Sequence, residues 1–194
     1  MGSVKMKCLN MRHPLLLFSI FLALGCSQPD DSPITWTECG GNIGDHACNF
    51  SFMDQTGNDW SLYNHHGSII VLDFSAMWCD YCKKAAEVAQ EIQNTHENDD
   101  VVWVTILLQN NYGQQPTLEN LNEWASSFEM TSSPVLSGDA SIIDPTAQKG
   151  YNVTTWPGLV VIDRDMTISH ELKGWNEMQI KFWLKQLTKN REAR

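Results

Sequence analysis

The strongest constraint on the fold is a continuous apolar run, SIIVLDF, at residues 68–74. Aliphatic and β-branched residues without polar alternation predict a strand that is covered on both faces of a sheet. An apolar stripe then recurs at helical spacing over residues 85–92, and VVWVTILL at residues 101–108 predicts a second buried strand. Strand, helix and strand at this spacing predict a βαβ unit, in which the two strands are parallel.

The rest of the chain extends this unit into a mixed sheet. Thr117 is a predicted cap for a second helix, and a short strand is predicted at Val135 and Leu136. GLVVI and TISHEL, at residues 158–162 and 167–172, predict a hairpin, and Asn176 is a predicted cap for the last helix. We therefore predict an α/β fold in which helices flank a central sheet that is parallel first and antiparallel at its end.

Residues 1–25 have the pattern of a secretory signal peptide. Lys5, Lys7 and Arg12 precede PLLLFSIFLALG, so a basic segment is followed by an apolar one that is short for a membrane-spanning helix. LALGC, which ends at Cys26, resembles the lipobox of bacterial lipoproteins. That resemblance implies cleavage before Cys26 and lipidation of this cysteine. An uncleaved anchor, and ordinary secretion with a leftover cysteine, are the alternatives.

Residues 26–38 are polar and contain proline, which predicts a tether that leaves residues 39–194 for the folded domain. The predicted location is the cell envelope, on the periplasmic side of a membrane that holds the lipid anchor, with inner and outer membrane both open. The net charge of −10 argues against a nucleic-acid partner.

Export would also set the cysteine pairing. Of the six cysteines, Cys8 leaves with the signal peptide and Cys26 takes the lipid, so Cys39, Cys48, Cys79 and Cys82 remain in an oxidising compartment. Three pairings are possible, and the simplest joins sequence neighbours. Cys39 and Cys48 are predicted to form a structural disulfide, with a second redox-active pair as the alternative.

Cys79 and Cys82 lie where the first buried strand ends and the first helix begins. Unpaired N–H groups at a helix start lower the pKa of a thiol, and the thiolate is the attacking species in disulfide exchange. Cys79 is thus the predicted nucleophile and Cys82 the resolving cysteine. A zinc site normally needs four ligands, and the sequence has no second Cys-x-x-Cys, so we predict no metal. An inert structural disulfide is the other alternative.

The segments VLDFSAMWCDYCKKAA and TWPGLVVID, at residues 71–86 and 155–163, resemble the active-site and cis-proline segments of the thioredoxin superfamily. An inserted helix and strand, an N-terminal extension and the lipoprotein-like start resemble its TlpA/ResA-type membrane-tethered thiol:disulfide oxidoreductases. The resemblance implies that Trp78 packs beside the redox pair. It also implies that Pro157 follows a cis peptide bond and aligns an incoming chain.

Asp73 interrupts the first buried strand, where an unpaired charge is costly. By the same resemblance it takes up or relays the proton of Cys82. Burial is expected to raise its pKa towards the working range.

The implied activity is thiol–disulfide exchange on exported protein cysteines. Asp80 would oppose a thiolate at Cys79, which favours a reductant. Two departures from the family pattern are Ala85, where ResA-type proteins carry a glutamate, and Trp156 before the proline. The expected partners are protein thiols and disulfides and a redox protein that resets the pair. We expect a monomer without a cofactor.

Two other functions fit the sequence. A peroxide-reducing thiol enzyme would need a supporting arginine, and no arginine lies near Cys79 in the sequence. A lipid-tethered binding domain with an inert Cys-x-x-Cys is the third possibility.

Overall fold

The computed structural model describes Trp36 and residues 38–144, 146, 147 and 150–189 of the 194-residue chain. The strands are β1 (Ser51–Met53), β2 (Asp59–Ser61), β3 (Ile69–Ala76), β4 (Val101–Gln109), β5 (Val135–Ser137), β6 (Gly158–Ile162) and β7 (Ile168–Lys173). The helices are α1 (Asp80–Thr95), α2 (Leu118–Ser127) and α3 (Glu177–Lys189). Three short 3₁₀ helices lie at Leu62–His65, Glu97–Asp99 and Ala140–Ile143.

The central sheet has five strands in the order β5-β4-β3-β6-β7. β3 and β4 are parallel, as are β4 and β5, whereas β6 is antiparallel to both β3 and β7. The predicted sheet, parallel first and antiparallel afterwards, is confirmed.

Strand β3 lies in the middle of the sheet, and all eight of its residues are buried. Ile70, Leu72 and Phe74 belong to the apolar cluster on one face. Ile69 and Val71 belong to the cluster on the other face, which also contains side chains of α1, α2 and α3. Because strand residues alternate between faces, Asp73 and Ser75 continue this second series. A carboxyl and a hydroxyl thus point into the layer beneath the helices.

The N-terminal extension covers the opposite face. Its β1–β2 hairpin forms a separate two-stranded sheet, and Ala47, Trp60 and Leu62 pack in the cluster on that face. β2 was not predicted from the sequence, because DWS offers a single apolar residue and no alternation. The structure joins Cys39 to Cys48 by a disulfide bond within this extension.

Polar caps fix the helix starts. The Thr117 hydroxyl accepts from the Asn120 N–H while the Asn120 side chain accepts in return, which makes a capping box at α2. Asn176 accepts from the Gln179 N–H at 3.1 Å at the start of α3. Both predicted caps are confirmed. α1 begins at Asp80, five residues before the apolar stripe that revealed it, because its first turn is formed by the Cys-x-x-Cys segment.

Two glutamines fix α1 against the rest of the domain. The Gln90 side-chain oxygen accepts from the N–H groups of Thr131, Ser132 and Ser133 at 2.8, 2.9 and 3.1 Å. One turn later, the Gln93 oxygen accepts from the Trp103 N–H of β4 at 2.9 Å. The helix that carries the cysteine pair is therefore held by hydrogen bonds as well as by apolar packing.

Residues 1–25 and the predicted lipidation site Cys26 lie outside the described residues. At the start of the described part, Trp36 stacks on His46 with 3.7 Å between ring centroids. None of the helices in the described ranges is sufficiently long and apolar to cross a membrane.

Candidate active site

The Cys79–Cys82 pair lies between the end of β3 and the start of α1. The structure joins the two residues by a disulfide bond. Cys79 is the N-cap residue of α1 and is 7% exposed, whereas Cys82 is completely buried in the first turn. An incoming sulfur atom can therefore reach Cys79 but not Cys82, which is the asymmetry expected of a nucleophile and a resolving cysteine.

The helix start stabilises negative charge on Cys79. Its Sγ accepts from the backbone N–H of Cys82 at 3.2 Å, and the positive end of the helix dipole adds to this effect. Lys83 lies 3.4 Å from the Asp80 carboxylate, and Lys84 lies 5.0 Å from the centroid of the Tyr81 ring. Lys83 therefore reduces the repulsion that Asp80 exerts on a thiolate at Cys79.

Asp73 lies on the helix-covered face of the sheet and is fully buried. The Ser75 hydroxyl donates to Asp73 Oδ1 at 2.6 Å, and the Thr105 hydroxyl donates to Oδ2 at 3.4 Å. Desolvation raises the pKa of Asp73 to about 7, and these hydrogen bonds oppose that rise. The carboxyl group can therefore exchange a proton near neutral pH. It shares its side of the sheet with the cluster that contains Cys79 and Cys82.

The two hydroxyl partners of Asp73 were not identified from the sequence. Ser75 was detectable, because it lies two residues further along the same strand and therefore on the same face. Thr105 was not, because its position opposite Asp73 depends on the register between β3 and β4.

The remaining predicted site residues, Trp78 and Pro157, are linked through Trp156. The Trp156–Pro157 peptide bond is cis. The Trp156 ring packs against the cluster that includes Cys79 and Cys82, and its centroid lies 6.4 Å from that of Trp78 in an edge-on arrangement. Trp78 is 46% exposed, and its Nε1 donates to the Gln109 side chain at 2.9 Å. Trp78 and Trp156 therefore lie together, and Trp156, which Pro157 follows in the chain, packs against the cluster that contains the pair.

The other cysteine pair belongs to different surroundings. Cys48 is buried, and its carbonyl oxygen accepts from the Tyr151 hydroxyl at 3.0 Å. Burial raises the pKa of the Tyr151 phenol, which keeps this donor protonated. Within the described ranges, no group of three or more His, Cys, Asp or Glu side chains is arranged to hold a metal ion.

Solved structures with the same fold include three bacterial proteins. The exposed lipoprotein thioredoxin of Streptococcus pneumoniae is 25% identical, with a TM-score of 0.59, over 72% of this chain and 100% of that one. A thioredoxin-family thiol:disulfide interchange protein of Chlorobium tepidum is 19% identical, with a TM-score of 0.62, over 77% and 99%. A secreted disulfide oxidoreductase of Mycobacterium tuberculosis is 18% identical, with a TM-score of 0.56, over 71% and 96%. No curated protein sequence matches the chain.

The sheet order, the inserted α2–β5 segment and the pair at the start of α1 define a thioredoxin-like fold. Within that class, the chain belongs to the AhpC/TSA family, whose model matches residues 43–171. The α/β thioredoxin-like fold predicted from the sequence is confirmed, and the solved structures agree with the predicted class of oxidoreductase.

The buried charge of Asp73 makes stability depend on pH. In the unfolded chain this carboxyl group ionises near its ordinary pKa of 3.8, whereas in the folded protein its pKa is about 7. Between these values the folded state binds more protons, so stability falls as the pH rises. We expect Asp73→Asn to be as stable as the parent protein at pH 4 and roughly 4 kcal/mol more stable at pH 8.

Urea unfolding of both proteins from pH 4 to pH 8 measures this difference. Asp80→Asn, which removes an exposed carboxyl group from the neighbouring helix, is the control and should show no such pH-dependent gain. A gain from Asp73→Asn that is the same at every pH would contradict the buried-charge explanation.

The Ser75 hydroxyl should control the acidity of Asp73. Since its hydrogen bond stabilises the ionised carboxylate, Ser75→Ala should raise the pKa of Asp73 further. Thr105→Val should raise it less, because that hydrogen bond is 3.4 Å long rather than 2.6 Å. An NMR titration of the Asp73 side-chain carbon measures each pKa directly. An unchanged or lower pKa in Ser75→Ala would show that the hydroxyl does not act on the ionised form.

Proposed function

We propose that this protein is a thiol:disulfide oxidoreductase that acts on the cysteines of exported proteins. The observation that carries the proposal is the asymmetric pair. Cys79 is accessible at a helix start, Cys82 is buried one turn deeper, and Asp73 is buried on the same side of the sheet. Nucleophile, resolving cysteine and proton acceptor are thus assigned to three side chains in one region.

The proposed reaction reduces a client disulfide in two exchanges. The Cys79 thiolate attacks one client sulfur, so that a Cys79–client bond forms, the client disulfide breaks, and one client thiolate leaves and takes a proton from water. Cys82 then attacks Cys79, which forms the Cys79–Cys82 bond and releases the second client thiolate. Two electrons pass from the pair to the client, and a dithiol partner resets the pair by the reverse exchange.

Asp73 supplies the proton transfer in the second exchange. Cys82 is completely buried, so its thiol proton needs an acceptor within the protein. A carboxylate with a pKa of about 7 is ionised often enough at neutral pH to take that proton, and it returns the proton when the pair is reduced again. The Ser75 hydroxyl holds the acceptor in place.

We assign Trp78 and Pro157 to substrate alignment, since Trp78 directly precedes Cys79 and Pro157 directly follows Trp156, whose ring meets that of Trp78. The Cys39–Cys48 disulfide is assigned a structural role, because it closes a short loop in the extension that covers the far face of the sheet. We propose that the protein acts as a monomer, because one chain supplies the pair, the carboxyl group and the aromatic side chains.

We further propose that the protein is a lipoprotein of the bacterial cell envelope, with residues 1–25 as the signal peptide, residues 26–38 as the tether and residues 39–194 as the domain. The lipobox-like LALGC before the tether supports this assignment. So does the similarity to an exposed lipoprotein thioredoxin and to a secreted disulfide oxidoreductase.

A peroxide-reducing enzyme is less well supported. Such an enzyme is expected to place an arginine beside its reactive cysteine. Arg164, the single arginine in the described part of the chain, donates to the carbonyl groups of Gly67 and Asp99. Gly67 precedes β3, whereas Cys79 follows it, so this guanidinium lies at the opposite end of the strand.

The reduction potential of Cys79/Cys82 tests the proposed direction of transfer. The purified protein is equilibrated in thiol–disulfide buffers, and the two redox states are separated after alkylation. We expect a value near the thioredoxin value of about −270 mV. In a separate insulin-reduction assay, Cys79→Ser should lose activity, and Cys82→Ser should accumulate a mixed disulfide with the client. Cys39→Ser with Cys48→Ser is the matched control, which should keep the potential.

A potential near −120 mV would instead indicate an oxidant. If the folded protein exchanges no disulfide at any buffer potential, the proposed oxidoreductase activity would be contradicted and a tethered binding domain favoured.

Mass spectrometry of the protein purified from bacterial membranes tests the anchor. We expect a mature protein that begins at Cys26 and carries several acyl groups, since more than one acyl group is needed to hold a protein stably on a bilayer. Cys26→Ala should remove the modification and release the protein from the membrane fraction. A mature N-terminus with an unmodified Cys26 would contradict the lipoprotein assignment.

A further inference from the structure

Three aromatic side chains with exposed surface lie near Cys79, the less buried cysteine of the pair. Trp78 and Tyr81 are 46% and 60% exposed on either side of Cys79 in the sequence. Trp156 is partly exposed, and its ring meets that of Trp78 edge-on. We call Trp78, Tyr81 and Trp156 the aromatic surface. Exposed aromatic groups of this size are uncommon unless they bind something, and here they adjoin the sulfur that a client must reach.

The aromatic surface is held in place before any client arrives. The Trp78 indole N–H donates to Gln109 at 2.9 Å, and Lys84 lies over the Tyr81 ring. Gln109 reaches this position because the β3–β4 register shifts after Ser75, so that Ala76 lies opposite Gln109. The Gln109 carbonyl also accepts from the Met77 N–H at 3.0 Å. A fixed ring loses little conformational entropy when it binds, which favours affinity.

The charged groups nearest the pair interact with groups of the same helix. Lys83 pairs with Asp80, and Lys84 lies over an aromatic ring. What the surface offers to a partner is therefore chiefly aromatic area. The chain as a whole carries a net charge of −10, which disfavours acidic partners.

We propose that the aromatic surface binds the residue next to the client's reactive cysteine and selects aromatic or long aliphatic side chains at that position. The proposal rests on the thiol–disulfide exchange proposed above. Neighbouring Cα atoms in a chain are about 3.8 Å apart, so a client whose sulfur meets Cys79 brings its flanking side chains onto these rings. Because apolar residues beside a cysteine are normally buried, the favoured client is an extended segment of an unfolded protein. Gln109 is a positioning residue in this arrangement, because it holds the Trp78 ring.

Peptide disulfides of equal length test the preference. Each peptide carries its cysteine beside Phe, Leu, Ser or Glu, and the neutral 2-hydroxyethyl disulfide is the small reference substrate. The reduced full-length protein is mixed with each compound, and single-turnover rate constants are measured by acid quenching and mass spectrometry. We expect the Phe peptide to react about tenfold faster than the Ser peptide, and the Glu peptide to be the slowest.

Variants assign the preference to individual side chains. The measured quantity is the ratio of the Phe rate to the Ser rate. Trp78→Ala should reduce that ratio to about one, and Trp78→Phe should retain part of it. Gln109→Ala should lower the ratio about threefold, whereas Gln109→Glu, which can still accept from the indole, should restore it. Phe182→Ala removes a half-exposed aromatic ring from α3 and should leave the ratio unchanged.

The outcomes separate this inference from the proposed function. If the Phe and Ser peptides are both reduced at equal rates, the proposed preference of the aromatic surface is overturned, but the oxidoreductase activity stands. A preference that survives Trp78→Ala would overturn it as well. If no disulfide is reduced, the oxidoreductase fails. Binding of reduced peptides to the Cys79→Ser, Cys82→Ser protein then tests the aromatic surface separately. If the surface binds as proposed, the Phe peptide alone should shift the Trp78 and Trp156 indole N–H signals in NMR spectra. Equal shifts with both peptides, or none, would overturn it.

Discussion

The structure depends on one constraint, which is that the central strand is buried on both faces and yet carries a carboxyl group. β3 has neighbouring strands on both sides and apolar layers above and below, so Asp73 has no access to water. An ionised carboxylate in such a place costs several kcal/mol unless polar groups offset that cost. Ser75 and Thr105 supply two hydroxyl donors and no charge. The result is a carboxyl group that is poised between its two protonation states, which an apolar residue or a fully paired aspartate would not provide.

The second determinant is the turn from β3 into α1. Cys79 follows shortly after the end of β3 at Ala76 and caps the helix, so its sulfur accepts a hydrogen bond from the Cys82 N–H. The position of that helix is set further along its length, where Gln90 and Gln93 bind the backbone of the segment before β5 and of β4. The geometry at the sulfur atoms is therefore fixed by hydrogen bonds two and three turns away, because a helix transmits its orientation rigidly along its axis.

Patterns that are local in sequence predicted most of this arrangement. Strand β3, the cysteine pair, the buried Asp73 and the caps of α2 and α3 follow from runs, spacings and residue types within a few positions. The i,i+3 spacing of Asp80 and Lys83 was also readable, and it reduces the electrostatic effect first assigned to Asp80 alone. Thr105 and Gln109 were not readable, because their contacts depend on how β4 aligns with β3, including a shift in register near the strand ends. The short polar strand β2 is formed by pairing rather than by its own sequence.

The cysteine pair thus separates two different environments. On the helix-covered face of the sheet, Asp73, Ser75 and Thr105 are buried, so they can act on a proton but not on a client. Next to Cys79 in the sequence, Trp78 and Tyr81 are exposed, so they can contact a client. The two sets share no hydrogen bond among the described residues. The free-energy changes caused by a substitution in each set should therefore be additive when the two are combined. Such a division lets the choice of client change through surface residues while the proton chemistry under the disulfide stays the same.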